Sequence, residues 1–189
     1  MKRTRQFSAL LFILVLGLLA NCGGGSSTPA TTPTTSTTTN PPPGPSQSST
    51  KAVLKLSSQG VLPQGAQLSG LAVTIQLPQG TTVATETGTP GQTVSPGVVT
   101  ISGVAAQAGG SAMLPPVYTP ATATAPGKLE IVIAGNFGVG EFATVSCSTA
   151  PGSTPPSSSN VTAVSFSPTD QQLRPVTGLT AGVTVTLTE

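Results

Sequence analysis

Leu71-Ala72-Val73-Thr74-Ile75-Gln76-Leu77 sets Leu71, Val73, Ile75 and Leu77 on one side of an extended chain and Ala72, Thr74 and Gln76 on the other. Successive strand residues point to opposite faces, so the stretch has one face for a core and one for solvent. Pro78-Gln79-Gly80 ends it with turn residues. Such a strand needs neighbours for its backbone groups and cover for its apolar face. The same period recurs downstream. Lys128 to Ala134 directs Leu129, Ile131 and Ile133 to one side, and Val183-Thr184-Val185-Thr186-Leu187-Thr188 alternates without a break.

Shorter strands are predicted at Val53–Leu56, Thr81–Ala84 and Val98–Ser102. Glu141–Ser148 is a further strand with Val145 and Cys147 on one face, and Val161–Ser167 is one carrying Val164 and Phe166. Gly88–Gly97 and Ser153–Asn160 read as loops, and Ala105–Ala125 as loop or short helical turn. Gly135–Gly140 lies between two strand patterns and reads as a hairpin loop. It lacks the G-x-G-x-x-G spacing and following helix of a nucleotide loop. The predicted fold for 51–189 is all-β: an antiparallel jelly roll or β-sandwich of about eight or nine strands.

Composition narrows the function. Charged residues make up 6 % of the chain and histidine is absent. Lys2, Arg3 and Arg5 sit in a leader; beyond Cys22, Lys51, Lys55, Lys128 and Arg174 face Glu86, Glu130, Glu141, Asp170 and Glu189. That balance lacks the basic footprint nucleic acid requires, so no nucleic-acid partner is expected. Without histidine a Ser-His-Asp triad cannot form, and scattered acids give no metal-ligand cluster. Glu130 and Glu141, on neighbouring strands, are expected to face solvent. The chain therefore reads as non-enzymatic, with no catalytic, metal or cofactor residues.

The N-terminus reads as an address. Lys2-Arg3-Thr4-Arg5 is a positive region and Phe7 to Ala20 an apolar run of signal-peptide length. Leu19-Ala20-Asn21-Cys22 follows, then Gly23 to Thr50, a tract without charged or aromatic residues. This tract cannot bury apolar surface and reads as a linker. As a coil it would span roughly 30 Å, and fully extended about 87 Å. The expected organisation is signal peptide 1–21, linker 22–50 and sandwich domain 51–189.

The stretch ending at Cys22 resembles the signals of bacterial lipoproteins, in which the cysteine sulfur receives a diacylglyceryl group before the signal is removed. Leu19 and Ala20 match that pattern, whereas Asn21 stands where the family prefers a small residue. The resemblance implies lipidation at Cys22 and a membrane partner through the anchor. Because no Asp follows Cys22, it favours the outer membrane of the cell envelope. The other reading is an ordinary secretory signal.

A second resemblance covers most of residues 51–189. Leu71 to Pro78 followed by Gly97-Val98-Val99, then Gly127 to Ile133, Gly138 to Val145 and Val183 to Thr188, resemble strands of cohesin-type domains. Those are jelly-roll sandwiches related to carbohydrate-binding modules, and their family role is protein–protein docking. The resemblance implies an envelope protein partner; the alternative is a polysaccharide. Tyr118 and Phe137 are the candidate ligand contacts, since aromatic side chains serve both kinds of surface. For Phe137 the reading that it folds back into the core comes before the contact reading. Cys147 reads as a small buried apolar residue, or as a partner for Cys22 if that residue is not lipidated.

Overall fold

The computed structural model describes residues 48–86 and 92–188. The leader, Cys22 and the linker up to residue 47 lie outside these residues. Eleven strands and one short helix follow in order: β1 (Thr50–Gln59), β2 (Leu68–Leu77), β3 (Thr81–Thr82), β4 (Gln92–Thr93), β5 (Val99–Ile101), α1 (Gly103–Gln107), β6 (Ala112–Met113), β7 (Val117–Thr119), β8 (Gly127–Phe137), β9 (Glu141–Thr149), β10 (Thr162–Asp170) and β11 (Thr180–Thr188). They form two antiparallel sheets. A five-stranded sheet runs β11-β1-β9-β3, with β5 also on β9; a six-stranded sheet runs β10-β2-β8-β7-β4, with β6 also on β8. The predicted all-β antiparallel sandwich is thus the fold of this domain.

Alternation builds the core. Leu71, Val73, Ile75 and Leu77 of β2 and Leu129, Ile131 and Ile133 of β8 are buried on one sheet. Ala52, Leu54 and Leu56 of β1 and Ala143, Val145 and Cys147 of β9 are buried on the other. These inner faces form one hydrophobic cluster. The phase shifts where an extra residue enters a strand. Opposite Leu56 and Ser57 the register jumps from Ala143 to Glu141, so Phe142 and Ala143 are both buried although adjacent. Phe142 stacks across the sandwich on Phe166 of β10, with ring centroids 6.3 Å apart.

The predicted strand carrying Val164 and Phe166 is present as β10, with a bulge between them: the register steps from Ala163–Ile75 to Ser165–Thr74, leaving Val164 on the bulge and 50 % exposed. Two expectations need correction. The connection after β8 is not a hairpin, because β8 and β9 belong to different sheets. Gly140 closes this crossover. Its N–H donates to Ser58 Oγ at 3.1 Å, and its carbonyl accepts from Ser58 N–H at 2.9 Å. Gly140 has φ +147°, and a Cβ there would lie 2.9 Å from Val104. Lastly, the stretch Ala105–Ala125 begins in α1, as the helical-turn reading allowed, but it also contains the strands β6 and β7, and β4 lies in the stretch read as loop. The short strands have no periodicity of their own and exist through hydrogen bonds to longer neighbours.

Register also orders the ends. Leu68 at the start of β2 sits opposite Phe137 at the end of β8 and Asp170 at the end of β10, while Gln59 at the end of β1 faces Thr180. The β1–β2, β8–β9 and β10–β11 connections therefore cross between sheets at one end of the sandwich. The chain enters β1 at the other end, where Thr50 pairs with Thr149.

The inner and outer phases of β8 can be checked with neighbouring residues. Ile131→Ala is expected to cost roughly 2–5 kcal/mol of unfolding free energy. Val132→Ala, on the outer face, is expected to change it by no more than about 0.5 kcal/mol. Urea unfolding of the two variants measures the difference.

Candidate functional site

At the crossover end, the β1–β2 loop and the β10–β11 connection wall a cleft of about 490 Å³. Leu62, Gln64, Ala66 and Gln67 line one wall, and Asp170, Gln171, Gln172, Arg174 and Val176 the other. The second wall is a tight hairpin. Asp170 N–H donates to the Arg174 carbonyl at 2.9 Å, and Val176 N–H donates to the Pro168 carbonyl at 2.9 Å. Asp170 Oδ1 accepts from the backbone N–H of Gln172 at 2.8 Å and of Arg174 at 2.9 Å. Its Oδ2 accepts from Arg174 Nε at 3.0 Å and lies 2.9 Å from Nη2. Arg174 Nη2 also donates to Gln172 Oε1 at 3.1 Å.

One carboxylate thus organises five consecutive residues. At its tip Leu173 has φ +59°, the only non-glycine residue with positive φ among the described residues, and its side chain is 77 % exposed. A branched side chain in the left-handed region is uncommon and costs roughly 1–2 kcal/mol. Here the Asp170 hydrogen bonds hold it there. Val61, next to the first wall, is 86 % exposed. The two charged groups of the cleft neutralise each other, so its remaining polar side chains are the amides of Gln64, Gln67, Gln171 and Gln172 and the hydroxyl of Thr177. A glutamine amide both donates and accepts, as a peptide group does. Neutral hydrogen-bonding partners therefore suit the cleft better than ions.

The residues singled out from the sequence lie elsewhere. Tyr118 and Phe137 are each 2 % exposed, so neither ring offers a face at the surface. Phe137 is the last residue of β8, opposite Leu68, and not the tip of a loop. Tyr118 ties the sheets together: its hydroxyl, carried by β7, donates to the carbonyl of Thr81 in β3 at 3.1 Å. Burial pushes its phenol above the ordinary value. Cys147 is a buried free thiol, and burial pushes it up to about 11. It is a core residue with little thiolate at neutral pH. Glu141 lies 3.4 Å from Lys55 of the adjacent β1, and Glu130 is exposed on β8 in the other sheet.

Sequence reading passed over Asp170–Arg174. The available signal was Asp170 opening a polar segment that ends at Pro175, which is turn chemistry between two strand patterns. Nothing in that spacing reveals the left-handed Leu173. Comparison with known proteins adds no relative: no family model, curated protein or solved structure matches the chain.

Two measurements test these assignments. The backbone N–H of Arg174, with its guanidinium and the N–H of Gln172, holds the Asp170 carboxyl below the ordinary aspartate range. A depressed folded pKa means the turn gains its stabilisation above the unfolded value of about 3.9 and loses it as pH falls through the lower folded value. An NMR titration should find Asp170 Cγ and the Gln172 and Arg174 amides moving together at a midpoint below about 3.9; a midpoint at or above it contradicts the turn. Tyr118→Phe should cost about 0.5–1.5 kcal/mol in chemical denaturation by removing the tie to Thr81.

Proposed function

We propose that the chain is a cell-envelope lipoprotein, anchored at Cys22 and displaying a non-catalytic, cohesin-like sandwich that docks a partner protein at the crossover end. The observation that carries this reading is the cleft's position together with its exposed apolar tip, Leu173, in a turn hydrogen-bonded to Asp170. Chain entry at Thr50 and the cleft lie at opposite ends of the sandwich. A linker of the length read over residues 22–50 would give this end reach to a partner beyond the lipid surface. Leu173 is held before any partner arrives, so little ordering entropy opposes its docking. The neutral glutamine rim suits the main chain of a protein partner. An outer-membrane location follows from the lipoprotein resemblance.

A polysaccharide partner fits less well. Sugar sites depend on exposed aromatic platforms, but Tyr118, Phe137 and Phe142 are buried and Phe166 is packed against the core. No second function is therefore carried forward.

Two experiments test the reading. Mass spectrometry of the processed chain should find Cys22 as the N-terminal residue carrying a diacylglyceryl group; an unmodified thiol there overturns the anchor. A photo-crosslinking residue at Gln172 should yield one discrete adduct with an envelope protein, and the same residue at Ser148, near the opposite end, should not. Leu173→Gly should lower the Gln172 adduct about tenfold, the effect of losing a ~1.4 kcal/mol anchor. Folding stability should shift by no more than about 1 kcal/mol, because relief of the positive φ offsets the added backbone entropy.

A further inference from the structure

The free edge of the five-stranded sheet is unlike the other edges. Among the described residues β11 pairs with β1 alone, in unbroken antiparallel register from Lys51–Thr188 to Gln59–Thr180. None of its residues is buried, and Leu187 is 52 % exposed. Among the described residues, no loop donates a backbone hydrogen bond to it. Native sheets protect their edges with proline, charge, bulges or shortness. β10, at the edge of the other sheet, carries Pro168 and two register shifts. β3 and β4 are two residues long, and β5 three. β11 has nine residues and none of these protections.

Its sequence is also matched to itself. Folding Thr180-Ala181-Gly182-Val183-Thr184-Val185-Thr186-Leu187-Thr188 about Thr184 sets Thr180 against Thr188, Ala181 against Leu187, Gly182 against Thr186 and Val183 against Val185. Every hydroxyl meets a hydroxyl or a glycine, and every aliphatic side chain meets an aliphatic one. We infer that β11 pairs antiparallel with β11 of a second copy, across a two-fold axis through Thr184, making one continuous sheet from two molecules.

The chemistry favours this occupant. A two-fold contact uses the same patch twice, and a strand whose pattern reads alike in both directions satisfies that requirement. Threonine pairs and β-branched pairs directly opposite each other stabilise antiparallel strands. Val183 and Val185, half-covered at the core margin, would be covered further. The nearest cations, Lys55 of each copy, are opposite Thr184 on β1. Three strand spacings of about 4.8 Å would separate them, beyond the screening length of roughly 8 Å.

Sedimentation equilibrium on the full chain in density-matched detergent, over a concentration series, tests the inference. Wild type is expected to show a reversible monomer–dimer equilibrium. Thr184→Glu brings two carboxylates face to face at the axis, yet within each copy the new carboxylate faces Lys55, so the monomer keeps its fold. This variant should weaken the dimer roughly fivefold or more. Thr180→Glu adds the same charge but faces Thr188 of the other copy, and should weaken it much less. Circular dichroism of both variants verifies folding. A wild type that stays monomeric, that forms higher oligomers, or that loses association equally in both variants overturns the inference, as does capture of β11 by a different protein's strand.

Discussion

The molecule depends on one apolar layer made by four strands. β1 and β9 present it from one sheet, β2 and β8 from the other, and their inward side chains close on each other. With 6 % charged residues, the chain has few ion pairs to draw on; among the described residues these are Lys55–Glu141 and Asp170–Arg174, both surface pairs. Pairs of that kind contribute little. Burial of aliphatic side chains, at roughly 1.5–3 kcal/mol each, must offset most of the entropy of ordering the chain. Most of the large apolar side chains are accordingly inside, including three of the four aromatics of the sandwich.

That economy shapes what is left for the surface. The outer face of the five-stranded sheet is mostly hydroxyl: Thr100 and Thr144 lie side by side with their oxygens 2.7 Å apart, and Thr184 continues the row beyond Lys55. Distinctive chemistry is confined to the crossover end. There the connections cannot be regular strands, and their backbone groups need local partners. Asp170 supplies them for one connection and Ser58 for another. The local hydrogen bonds of this end thus follow from the sandwich's need to cross between sheets.

The centres of β2 and β8 were legible because each alternates over seven residues against a buried face; both strands run three residues further toward the crossover end than Leu71–Leu77 and Lys128–Ala134. β1 was read over only Val53–Leu56 of its ten residues. What escaped has physical reasons. Short strands such as β4 and β6 are defined by a neighbour's hydrogen bonds and not by their own pattern. The Gly138–Gly140 link looks like a hairpin turn because local chemistry fixes a chain reversal without fixing which sheet receives the next strand. Tyr118 looked like a contact residue because aromatic side chains serve binding surfaces, but removing its large ring from water favours burial, as it does for Phe137. The Leu173 turn was invisible because Asp170, Gln172 and Arg174 are ordinary turn residues whose spacing does not reveal which local hydrogen bonds form or that they set Leu173 at positive φ.

Backbone amide hydrogen exchange, read residue by residue, tests the account most directly. If the four-strand layer holds the molecule, the slowest amides will lie in β1, β2, β8 and β9 and will exchange only on global unfolding. The Gln172 and Arg174 amides will be protected above their exposed neighbours, as the Asp170 carboxylate requires. A slowest set located instead in the Ala105–Ala125 segment or in the edge strand β10 would contradict the account.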